Sequence, residues 1–190
     1  KNQKNWTGTL KEALAQFGEE HVQWEIYRGD SFQLETTPCE ALRTAIYIKA
    51  CLKTLKNADV RMSIGIGAKS YAAKSVGESN GEAFELSGLK FETLKKEKIS
   101  LAIQTKDTDL NKELNLLIKL SLIAMDNWSI GSAIYVKTAL ENENSGQAEI
   151  GEILGINQPS VSERHTRAYF SEMQELMSYV QSKINEYISS

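Results

Sequence analysis

Two sets of residues in this chain have side chains and spacings that could do chemistry. The first lies in "WEIYRGDSFQLET" (Trp24 to Thr36), where Arg28, Asp30 and Ser31 stand side by side, with Lys69 following the segment "SIGIG". A carboxylate such as Asp30 can ligate Mg²⁺ through oxygen, and Arg28 or Lys69 can neutralise phosphate. The glycines of "SIGIG" could leave room for a ligand beside such a site. It would also need a second carboxylate on a neighbouring strand, and no acidic residue precedes Trp6 to supply one. A plainer reading stands beside this one. Gly-Asp suits a tight hairpin turn with no ligand at all, and Arg28 is then an exposed cation at a strand end.

The second set lies in "SGQAEIGEILGINQPSVSERHTRA" (Ser145 to Ala168). Ile150 and Leu154 fall on one face of a first helix, and Gly151 sits where a small residue lets a second helix approach. Gly155 suits a left-handed turn, Ile156 plugs the gap, and Val161 anchors the second helix. That is helix-turn-helix spacing, and it leaves Gln158, Ser160, Ser162, Glu163, Arg164 and Arg167 outward on the second helix. Ser and Gln can reach phosphates or base edges, and Arg can bind guanine or phosphate. The expected nucleic-acid contacts are therefore Gln158, Ser160, Ser162, Arg164 and Arg167. From Gln147 to Ala168, three acids (Glu149, Glu152, Glu163) face two arginines, a net charge of −1, which is thin for binding driven by phosphate neutralisation. A tri-helical packing module without DNA is the competing reading. His165 takes a position one turn after Val161 and reads as a partly buried histidine with a backbone partner.

Elements must hold these residues in place. Trp6, Leu10, Leu14 and Phe17 recur with helical spacing up to Gly18, and Pro38 opens a second helix whose stripe runs through Leu42, Ala45, Ile46, Ile48, Lys49, Leu52 and Leu55. Between them Val22–Tyr27 and Ser31–Thr36 alternate as a hairpin. "DVRMSIGIG" (Asp59 to Gly67) reads as a half-buried strand with a bare glycine face. A loop rich in Ser, Gly and Asn follows, then a helix over Ala83 to Lys96 and a strand in "ISLAIQT". The order αββαβαβ predicts an α+β layer fold, with helices on one face of a mainly antiparallel sheet. After Lys106 the pattern is helical throughout, placing a boundary between an α+β domain over 1–107 and an all-α domain over 108–190. The stripe Tyr169, Met173, Leu176, Met177, Val180, Ile184, Tyr187 and Ile188 predicts a long last helix, which either packs back on the first domain or pairs two chains as a homodimer.

Composition bounds the function classes. The chain has 190 residues, 41% hydrophobic and 25% charged, with a net charge of −3, so it is not a strongly basic nucleic-acid coat. No apolar run reaches the ~18 residues of a membrane span. The nearest, Leu114 to Met125, contains Lys119 and reads as a buried core helix. With no targeting segment apparent, and Cys39 and Cys51 outside any CxxC spacing, a cytoplasmic protein with reduced thiols is expected.

"YRGDSF" resembles the hairpin of the class III nucleotide cyclase and GGDEF superfamily, "VRMSIGIG" the strand that follows it, and "ESNGEAFELSG" the cyclase segment opening Gly-Asp-Ala-Val-Asn. Together with "AIYIKACLKT", "FETLKKEKI" and the trailing helix-turn-helix, essentially the whole chain is similar to the SatD family of bacterial proteins. The resemblance implies a cyclase-like, ferredoxin-like palm with an added first strand, which would carry the other metal carboxylate beside Asp30 and leave a gap where it belongs. It also implies a nucleotide site using Arg28, Asp30, Ser31 and Lys69, with Mg²⁺ as the cofactor. The departures argue against catalysis. Glu85 and Leu89 stand where cyclases place the asparagine and arginine that stabilise the transition state, and losing such donors costs about 10²–10³ each in rate. Ser31 replaces the glutamate of the diguanylate cyclase motif. The expectation is a cytoplasmic DNA-binding regulator with a catalytically degenerate cyclase-like domain. A nucleotide- and Mg²⁺-binding protein, or a protein interaction module without DNA binding, are the alternatives.

Overall fold

The computed structural model describes residues 6–27, 29–71, 73 and 75–190. Helix α1 (Trp6–Leu14) buries Leu10, Ala13 and Leu14, and a 3-10 turn then carries the chain to Gly18 at φ 135°. The Trp24 indole N–H donates to the Gly18 carbonyl at 2.9 Å, tying the start of the hairpin to this stop. Strands β1 (Trp24–Tyr27) and β2 (Ser31–Leu34) pair antiparallel, with Trp24 opposite Leu34 and Tyr27 opposite Ser31. Gly29 supplies the positive φ that the turn demands. A 3-10 turn at Pro38–Glu40 leads into α2 (Ala41–Lys53), which is buried on nearly every face.

Strand β3 (Met62–Gly65) is followed by the short β4 (Lys69–Tyr71) and β5 (Asn80–Gly81), helix α3 (Glu82–Glu97) and β6 (Leu101–Gln104). Here the sequence expectation needs correcting. The strands form three separate two-stranded sheets, and the buried pair β3–β6 is parallel, not antiparallel. Parallel strands require a crossover, and α3 provides it, packed on both. The hairpin β1–β2 does not join β3–β6 among the described residues. Alternating apolarity marks a strand but does not name its partner. β4 and β5 lie in the segment expected to be loop.

Five helices complete the chain: α4 (Thr108–Met125), α5 (Ile130–Glu141), α6 (Gln147–Leu154), α7 (Gln158–Ala168) and α8 (Phe170–Ser189). Asp107 caps α4 by accepting from the amides of Asp109 and Leu110. The result is a mixed α+β fold with small sheets and a helical C-terminal region. One contiguous core joins the two parts, from Leu10, Ile46 and Ile103 to Ile118, Val136 and Ile184. Polar ties also cross between them. Tyr47 Oη donates to Glu141 at 2.6 Å, Arg43 donates to the Leu140 carbonyl at 2.7 Å, and Lys49 Nζ lies 2.7 Å from Asp126.

The C-terminal stripe differs from the sequence picture in two ways. Tyr169, at φ 53°, stands outside the last helix, separating α7 from α8 by adopting the left-handed cap that glycine usually takes. The stripe of α8 is then spent within the chain, with Met173, Val180 and Ile184 buried against the core. Tyr169 and Ile188 of the same stripe stay half exposed. No helix is long and apolar enough to cross a membrane among the described residues.

Candidate nucleic-acid interface

Helices α5, α6 and α7 pack on one another as a tri-helical unit. Ser129 caps α5 by accepting from the Ser132 amide at 3.1 Å. Glu149 Oε2 accepts from the Gly146 amide at 2.8 Å, at the start of α6. Gly155 turns the chain at φ 63°, and Asn157 caps α7 by accepting from the Ser160 amide at 3.0 Å. Gly151 allows the close crossing of α6 and α7, since an added Cβ would lie 2.9 Å from Val161 Cγ2 and 3.2 Å from the Ile156 carbonyl. At the far end of α7 the Trp128 indole N–H donates to the Ala168 carbonyl at 3.0 Å.

His165 is fixed by side chains, where a backbone partner was expected. Its Nδ1 meets Tyr135 Oη and its Nε2 meets Ser171 Oγ, both at 2.9 Å. Its ring packs edge-on against Tyr135 and Phe170. Burial pushes the Tyr135 hydroxyl above its ordinary pKa, keeping it neutral. His165 therefore positions α7 against α5 and α8.

Gln158, Ser162 and Arg167 are exposed on α7, while Ser160 and Arg164 are half-buried. Gln158 Nε2 donates to Gln147 Oε1 at 3.3 Å. Arg167 pairs with Glu163 at 2.8 Å, both side chains well exposed. This i,i+4 pair was readable in the sequence, and it engages one of the two arginines. Arg164 leans back toward Gly131 in the first turn of α5. The packing partners of α7 are α5, α6 and α8.

Among the described residues, the first set is not brought together. Arg28 lies outside the described residues. Asp30 is exposed at the hairpin tip, with Ser31 Oγ donating to it at 3.3 Å. Lys69 Nζ instead pairs with Glu35 at 2.7 Å, beyond the other end of β2. At a rise of ~3.4 Å per residue, Glu35 lies about 17 Å along the chain from Asp30. No cluster of three or more His, Cys, Asp or Glu able to hold a metal exists among the described residues. The space expected beside the glycines is filled by protein. A Cβ on Gly65 would lie 2.0 Å from the Ala83 carbonyl of α3, and one on Gly67 would lie 2.5 Å from the Glu82 side chain. These glycines admit a helix where a ligand was expected. Glu85 and Leu89, one turn apart on α3, are both solvent-exposed, Leu89 at 67%.

A polar cluster that the sequence reading missed is centred on Lys49, which was assigned to the apolar stripe of α2. It is fully buried, with Asp59 and Asp126 each at 2.7 Å and Ser100 Oγ at 3.1 Å. Burial of Asp59 opposes its charge, but the hydrogen bond and charge of Lys49, with the Val60 amide and Lys53, outweigh that and hold its carboxyl below the ordinary range. The available signal was a lysine at a core-facing helical position. Nearby, burial first, and then the hydrogen bond to Glu141, push the Tyr47 hydroxyl far above its ordinary value. Burial lifts Cys51 to about 11. Both are held neutral, as structural groups.

No protein-family model, no curated protein and no solved structure matches the chain.

Proposed function

We propose that this chain is a cytoplasmic DNA-binding regulator in which α7 enters the major groove of duplex DNA. The observation that carries the reading is the outer face of α7. Gln158, Ser162 and Arg167 are open to solvent there, and the helices packed most extensively on α7 (α5, α6 and α8) all belong to the helical half. The turn geometry at Gly155, the cap at Asn157 and the Gly151–Val161 crossing present the first turns of α7 outward, as helix-turn-helix readers do. Gln158 and Ser162 would reach base edges or phosphates. Arg164 and Arg167 would neutralise phosphate once Arg167 exchanges its exposed partner Glu163 for DNA. The α+β part, whose sequence motifs resemble those of a SatD-type, cyclase-like palm without its catalytic donors, would act as scaffold or effector-sensing half.

With only two arginines on the reading helix, the salt dependence should be shallow. Fluorescence anisotropy with duplex DNA over a salt series tests this. Replacing both, as Arg164→Ala/Arg167→Ala, should lower the slope of log affinity against log salt by about 2 and weaken binding to all sequences alike. Absence of binding at low salt, or binding indifferent to the double substitution, overturns the proposal.

A further inference from the structure

Helix α4 lies beside α8 and runs antiparallel to it. The Tyr179 hydroxyl of α8 donates to Glu113 near the start of α4, and Trp128, just past its end, reaches back to Ala168. The apolar run from Leu114 to Met125 was expected to be buried, yet only one side of it is. Leu116, Leu120 and Ile123 remain 59%, 55% and 69% exposed. Spaced i, i+4 and i+7, they form one continuous ridge. Alongside it runs a groove of about 430 Å³ between α4 and α8, floored by Leu117, Ala124, Met173 and Leu176, with Tyr169 at one end and Glu172 on the far wall.

We propose that this face binds a second copy of the same chain, each copy seating its Leu116–Leu120–Ile123 ridge in the groove of the other. Ridge and groove lie side by side on one surface, which is what an isologous two-fold contact requires. The axis must run along the helices. An axis across them would set ridge against ridge, whereas one along them exchanges ridge for groove and leaves the two α4 helices parallel. The same operation matches charge. The flank of the ridge away from the groove carries Lys112 and Lys119, while the far wall carries Glu172 and Glu175, all four exposed. Antiparallel packing of α4 and α8 sets Lys119 nearly level with Glu172, so the basic flank of each copy falls beside the acidic wall of its partner. Among the described residues neither Lys119 nor Glu172 has an ion-pair partner within its own chain. The apolar face, on the order of a few hundred Å², supplies the dry centre of an interface whose charged flanks extend it toward the about 800 Å² per partner of a stable dimer. Tyr169 caps α7 and also lines the groove, so the docked face adjoins the end of the reading helix.

Sedimentation equilibrium of the whole chain, without DNA, tests this over a concentration series reaching roughly 0.1 mM. A monomer–dimer equilibrium is expected. Leu120→Glu should raise the dissociation constant by at least about tenfold while leaving the thermal melt of the monomer in place, because residue 120 already faces water. Lys119→Glu should weaken the dimer, and adding Glu172→Lys should restore it. A chain that stays monomeric throughout, a dimer indifferent to Leu120→Glu, or a charge swap that fails to restore association each overturns the proposal. None of these variants touches the outer face of α7, so DNA binding stands or falls separately.

Discussion

Replacing Lys49 by methionine tests how the two halves are joined. The ammonium is wholly buried and bridges Asp59, before β3, to Asp126, at the end of α4, with Ser100 Oγ at 3.1 Å and itself donating to Asp126 at 2.8 Å. Breaking a buried pair by removing one partner typically costs about 3–5 kcal/mol, because the other charge is left uncompensated. Here the orphans differ by side. The Asp59 and Asp126 side chains are 40% and 43% exposed, so water can take over much of their solvation, and methionine fills most of the lysine stem without desolvating a charge. Lys49→Met should therefore cost about 2 kcal/mol, below that range. The reverse change, Asp59→Asn/Asp126→Asn, strands a fully buried ammonium and should cost about 3–5 kcal/mol. Urea denaturation followed by far-ultraviolet circular dichroism measures both. The pH dependence gives a second arm. Asp59 has a depressed pKa, so its stabilising contribution is present above the unfolded-state value of ~3.9 and is lost as pH falls through the lower folded-state value. Lys49→Met should flatten that acid limb. If the double aspartate change is milder than Lys49→Met, or if the acid limb is unaltered, the network does not hold the halves together as reasoned.

Gly65→Ala should be severe, because its Cβ would sit 2.0 Å from the Ala83 carbonyl and must push α3 off β3; a loss of at least about 3 kcal/mol in chemical denaturation is expected, against the ~0.5–1 kcal/mol gain for alanine at an unconstrained site. Gly151→Ala meets Val161 Cγ2 at 2.9 Å, a side chain that can yield, so about 1–2 kcal/mol is expected, with weakened DNA binding as α7 shifts. Lys98 ends α3 in the left-handed region at φ 56° and is exposed, so Lys98→Gly should raise stability by about 0.5–1 kcal/mol, read as an increased melting temperature.

Much of the chain could be read locally. Helix α6 carries Ile150 and Leu154 as the spacing assigned, and Gly155, Ile156 and Val161 take their expected positions, because a helix-turn-helix is built from contacts within a short stretch. The hairpin at Gly29-Asp30 followed from turn chemistry in the same way, and so did the stop at Gly18. Misreadings came where a residue answers to a distant partner. The bare faces of Gly65 and Gly67 look alike in sequence whether a ligand or a helix fills them, and only the docking of α3 decided it. Lys49 shares its spacing with apolar neighbours, and only the approach of Asp59 and Asp126 explains a charge there. Periodicity likewise showed that α4 and α8 are rich in apolar residues but not which seam would be spent. The fold buried Met173, Val180 and Ile184 of α8 and left the ridge of α4 in water, because how much of a helix is covered depends on which neighbours arrive.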